Sequence, residues 1–148
     1  MGVPANLFSR EAALDQFKRA AQVLRARSVA IRADAASRPI NTNEVLGYLA
    51  VLRATRELID ALPTSQEFKD YAQASLAAGG YTGDIVADGA AMKTQVVATI
   101  DWIVGVSGNL WAGHSLSSTG GEVVTTFSTA QTATFRTAVQ SLIDTIDG

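Results

Sequence analysis

The chain has 148 residues, 47% of them hydrophobic and 18% charged, and a formal net charge of −2 from 12 basic and 14 acidic side chains. That length suits one domain, which buries roughly two thirds of its unfolded surface without a covalent staple. Cysteine is absent and histidine occurs once, which excludes disulfides, thiolate metal sites and cysteine nucleophiles and leaves no donor set for structural zinc.

The charge is unevenly spread. Residues 1–70 carry ten Lys/Arg and eight Asp/Glu, whereas residues 71–148 carry two and six. This asymmetry suits contacts within one fold or between neighbouring copies, and is too mild for general nucleic-acid binding. The start, MGVPANLFSRE, lacks the basic and apolar regions of a signal peptide, and Asn6 stands where a myristoylation motif needs Ser or Thr. The apolar run Val96–Val106 is shorter than the ~20 residues of a membrane span and contains Asp101. The expectation is no membrane partner and a reducing cytoplasm as the place of synthesis.

The first expected helix starts at the N-cap candidate Ser9 and ends before Pro39. Leu14, Phe17, Ala21, Leu24, Ser28, Ile31 and Ala35 follow the alternating three- and four-residue spacing of one helix stripe. At roughly 28 residues it exceeds the usual helix length. Lys18, Arg25 and Arg32 recur every seven residues beside the stripe. They read as a solvated flank covering the seam, as an inter-subunit ionic row, or as a phosphate-binding row.

A second helix is expected after Asn41, whose spacing to Glu44 is that of a capping box, with Thr42 as a rival cap. Val45, Leu49, Leu52, Ile59 and Leu62 keep helical period until Pro63. Thr64 and Glu67 offer a capping box for a short third helix carrying Phe68, Tyr71 and Leu76, stopped by Gly79-Gly80. The fourth helix is expected over about Asp84–Val106, with Ile85, Met92, Val96, Ile100 and Ile103 on its face. Gly89 weakens its first half, so a start near Ala90 is the alternative. Trp102 beside that stripe reads as core packing. The last helix follows the Ser128/Gln131 capping box and carries Phe135, Val139, Leu142 and Ile146.

Between these last two helices lies GNLWAGHSLSSTGGEVVTTF, residues 108–127. EVVTTF alternates β-branched and apolar residues, SSTGG is turn chemistry, and the pair of arms reads as a β-hairpin. An isolated hairpin is marginal in water, so this one must lean on the helices or on another protein. Trp111 is either an anchor for a partner or packing beneath the hairpin.

Motifs for chemistry fail on spacing. Ser115, Ser117 and Ser118 lie near His114, but sequence neighbours on a strand do not form a triad, and no G-x-S-x-G elbow occurs. His114 therefore reads as an exposed or interface histidine. GVSGNLWAG lacks the G-K-[ST] of a phosphate loop, and no acidic run has calcium-loop spacing. Asp84, Asp88 and Asp101 read as solvated charges. No cofactor, metal or catalytic residue is expected.

The C-terminal third resembles a group of small uncharacterised structural proteins of tailed bacteriophages. The matching features are Trp102-Ile103 closing a helix, a Gly-rich stretch from Gly108 to Gly121, and Thr126-Phe127-Ser128 leading into Ala130-Gln131-Thr132. The resemblance implies a virion component, assembled in the host cytoplasm, and not an enzyme. Head-to-tail adaptors of such phages are built alike, as small helical proteins with projecting loops, in rings of many copies.

The expected fold is one all-α domain over residues 1–148, a bundle of four to five helices with a long first helix and a β-hairpin before the last. The expected function is a homo-oligomeric ring subunit, first of all a head-to-tail connector, with copies of itself and portal or tail components as partners. The alternatives are another virion protein (tail, baseplate or capsid-associated) and a soluble non-enzymatic binding or regulatory module. The candidate subunit-contact residues are Lys18, Arg25, Arg32, Trp111, His114, Val124 and Phe127.

Overall fold

A computed structural model describes residues 5–78, 85–104 and 126–148. Among these, the chain forms α1 (Ala5–Ser37), α2 (Thr42–Asp60), α3 (Gln66–Ala77), α4 (Ile85–Val104) and α5 (Thr129–Asp147). The expected helical bundle is present. The expected hairpin lies outside the described residues except at its foot, where Thr126 makes an isolated antiparallel bridge with Asn41.

α1 runs 33 residues, about 50 Å at 1.5 Å per residue. It begins upstream of the expected Ser9 cap, because no glycine or proline between Ala5 and Arg10 stops the helix extending backwards. It ends at Ser37, since the residue before Pro39 is sterically excluded from helical ψ. The expected stripe faces inward: Leu14, Leu24, Ser28, Ile31 and Ala35 are buried, and Phe17 and Ala21 partly so.

α2 starts as read from the sequence. The Asn41 side chain accepts from the Glu44 N–H at 3.0 Å, and Glu44 accepts from the Asn41 N–H at 3.2 Å. Arg38 grips the same carboxylate with both terminal nitrogens, at 2.8 and 2.9 Å. Hydrogen bonding from Arg38 holds the Glu44 carboxyl below its usual range, against an opposing effect of burial. The short α1–α2 turn is thereby locked on both sides of Pro39.

α3 is capped one residue later than expected. Ser65, not Thr64, accepts from the Phe68 N–H, at 3.2 Å. Both hydroxyl residues have usable spacing, and serine is the better cap. α4 begins at Ile85 and passes through Gly89 without breaking. Packing outweighs the glycine penalty there, because the Gly89 backbone lies against Leu62 and Phe17. α5 opens on the expected Ser128/Gln131 capping box.

α1 packs on α2 and α5, and α4 packs on the same two helices. α1 and α4 thus stand diagonally across one core, as do α2 and α5. Direction follows from side-chain partners. Lys93 near the start of α4 pairs with Asp60 at the end of α2. Arg32 and Arg25 of α1 meet Gln140 and Asp147 of α5 in reverse order. The four long helices therefore run up, down, up and down, the topology that short connections favour. The core between them includes Leu24, Leu52, Val96, Ile103, Phe135 and Leu142, all fully buried or nearly so. Each such side chain contributes about 1.5–3 kcal/mol of transfer free energy.

α5 ends opposite Arg25, so the first half of α1 projects beyond it. α3 covers that half from one side. Leu14, Phe68 and Ala72 form a second small core there. Arg10 clasps it, pairing with Glu67 at 3.0 Å and lying 4.7 Å from the Tyr71 ring centre.

Candidate interaction surface

The seven-residue basic row on α1 splits in the fold. Arg25 forks Asp147, Nε to Oδ1 at 2.6 Å and Nη2 to Oδ2 at 3.0 Å. Arg32 donates to the Gln140 side chain. Both guanidiniums are engaged by α5 of their own chain, an α1–α5 clasp that none of the three readings of the row named. Lys18 lies past the end of α5, exposed, in a cleft with Glu11, Asp15, Tyr71 and Ser75.

Phe127 also differs from expectation as a contact for a neighbouring subunit. It is 2% exposed and belongs to the main core. Its N–H donates to the Ile40 carbonyl at 2.9 Å. The Ile40 N–H in turn donates to the Thr132 hydroxyl at 3.4 Å. The buried α1–α2 connection is thus satisfied by the residues that start α5. A large aromatic at the foot of an arm is drawn inward when the returning chain must seal the top of the core. Trp111, His114 and Val124 lie outside the described residues. Trp102 packs partly buried on Phe135, ring centres 5.9 Å apart and stacked at 29°.

The surface that the sequence reading missed is the outer face of α1 and α2. Among the described residues, Val23 at 51% and Leu46 at 39% are the large hydrophobic side chains left exposed. Val23 stands on this face. Ala26, Ala30 and Ala33 of α1 and Gly47, Ala50 and Ala54 of α2 are exposed too. Along the seam, Ala20, Val23, Val51, Ala54 and Leu58 line an open apolar groove. Its hydroxyl, on Thr55, donates back to the Val51 carbonyl of its own helix at 2.9 Å. The groove therefore offers shape and apolar area, and little to hydrogen-bond.

Towards the α1–α2 turn the same seam becomes polar, lined by Arg27, Asp34, Asn43, Glu44 and Tyr48. Beneath it Ser28 and Tyr48 share a buried 2.6 Å hydrogen bond. Burial pushes the Tyr48 hydroxyl up to about 12, partly offset by that bond. A phenol so held is not a base or nucleophile near neutral pH. The signal for this face is present in the sequence, since alanines fill many positions opposite the α1 stripe. Along the chain alone, it registers only as helix propensity.

Among the described residues, no group of three or more His, Cys, Asp or Glu is placed to hold a metal ion. Among them, too, no helix is long and apolar enough to cross a membrane. No protein-family model, curated protein or solved structure matches the chain.

Proposed function

We propose that this chain is a structural component of a tailed-phage virion that works by packing against copies of itself, with the head-to-tail connector ring as its first placing. The observation that carries the reading is the α1–α2 outer face, where Val23 is left to solvent beside an apolar groove lined by Ala20, Val51, Ala54 and Leu58. Apolar area of this kind on a folded surface marks a site of association. The chemistry of the described residues supports the same reading. Several of their charged side chains pair with one another, and the buried polar pair Ser28–Tyr48 is satisfied within the core. The C-terminal resemblance supplies the virion context, and the unequal charge of the two chain halves suits a head-to-tail contact around a ring.

Quantitative mass spectrometry of purified particles from a phage carrying this gene tests the proposal. The expected result is the chain at a fixed copy number per particle. Absence from particles overturns the virion role and leaves the binding or regulatory module.

A further inference from the structure

We infer that α3 is a strap that opens as one unit while the four long helices stay packed, and that the contact between Arg10 and Glu67 latches it shut. Opening uncovers the start of the α1 stripe at Leu14 and Phe17. It needs no neighbouring copy, so the virion role stands or falls separately.

The core is divided where α3 docks. No α3 side chain belongs to the main core that joins α1, α2, α4 and α5. The buried side chains of α3, Phe68 and Ala72, meet Leu14 in a cluster of their own. α2 and α5 bury six and five side chains, so α3 is held by less apolar area than either. It has 12 residues, a length at which an isolated helix is marginal in water. Helix and docking therefore form and melt together, as a small cooperative unit. Phe17 and Leu62 border both clusters, so opening bares one edge of the main core without emptying it.

The latch is small and incompletely satisfied. Arg10 Nη1 donates to Glu67 Oε1 at 3.0 Å, and the guanidinium lies over the Tyr71 ring. Arg10 Nε is buried with no hydrogen-bond partner among the described residues. A buried donor without a partner opposes docking and regains water on opening. The Glu67 side chain is 65% exposed, so solvent and salt screen the pair. A helix docked on two buried side chains and one such pair opens far more readily than the bundle unfolds.

The chain has no cysteine, so one introduced thiol reports opening. Ala72 in the small cluster and Val139 in the main core are both 0% exposed. Labelling of Ala72→Cys and Val139→Cys with a thiol reagent in native buffer is the measurement, with circular dichroism confirming that each is folded. Ala72→Cys is expected to react at least about tenfold faster. Adding Glu67→Gln is expected to speed its labelling roughly two- to fivefold, the size of a part-exposed pair. Adding Ile100→Val, in the main core on α4, is expected to speed labelling of Val139→Cys several-fold and to leave Ala72→Cys unchanged. Hydrogen exchange of the unmodified chain gives a second reading, with the amides from Tyr71 to Leu76 expected to share one opening and to exchange faster than the buried part of α5. Equal labelling of the two cysteines overturns the inference. So does acceleration of both by Ile100→Val, indifference of Ala72→Cys to Glu67→Gln, or α3 amides as protected as those of α5.

Discussion

Ser28 of α1 and Tyr48 of α2 are joined by a 2.6 Å hydrogen bond inside the core, with the Tyr48 ring edge-on to Phe135 at 5.9 Å. The pair fixes how the two helices of the apolar face lie against each other. Removing one partner strands the other without water. Ser28→Ala or Tyr48→Phe is expected to cost about 1–3 kcal/mol, and the double variant less than the sum of the two. Urea unfolding of all four proteins checks this.

The same tyrosine makes a prediction in alkali. Its folded value is raised from 10.0 to about 12, so the folded state favours the neutral phenol. The associated stability is fully present below pH about 10, and is lost as pH rises towards about 12. Tyr48→Phe is expected to lack this component. Chemical denaturation of both proteins over that window measures the difference.

Asp147 behaves oppositely. The hydrogen bond from Arg25 is the main reason its carboxyl sits below the usual range. Stability from the pair is present above the unfolded value of about 4, and is lost as pH falls through the lower folded value. Asp147→Asn is expected to lower the melting temperature slightly near neutrality, as exposed pairs contribute little, and to make no difference in strong acid. Thermal melts at the two pH values check the sign.

Gly89 stands inside α4 with negative φ, and a Cβ there would meet Leu62 at 3.6 Å and Phe17 at 3.8 Å. That is ordinary van der Waals contact. Gly89→Ala is expected to stabilise the fold by about 0.5–1 kcal/mol, raising the melting temperature by roughly 1–4 °C. An unchanged or lower value would mean that Phe17 and Leu62 cannot accommodate the methyl group.

The helices were legible because their signals are local. Asn41 with Glu44 and Ser128 with Gln131 each carry a reciprocal cap within four residues. The Leu14-to-Ala35 stripe is periodic enough to name its own buried face. Local signals failed where two were equivalent, as at Thr64 and Ser65. At Gly89 tertiary packing decided between the two starts the local signals left open, in favour of the earlier one. The candidate site was harder to read because it depends on which helix lies beside which. Arg25 and Arg32 look free on a helical wheel until α5 returns alongside with Gln140 and Asp147. Phe127 looks like an arm's exposed foot until the Ile40 carbonyl takes its N–H. Val23 becomes conspicuous only once the opposite face of α1 is known to be core.

Association between copies through the α1–α2 face is tested most directly at Val23, which is exposed on α1 and lines the apolar groove with Ala20, Val51, Ala54 and Leu58. Sedimentation velocity across the micromolar range, on the unmodified chain and on Val23→Glu, is the measurement, with circular dichroism confirming that both are folded. The unmodified chain is expected to associate, and Val23→Glu to associate at least tenfold more weakly. A monomer at every concentration, or association unchanged in Val23→Glu, would contradict the proposal.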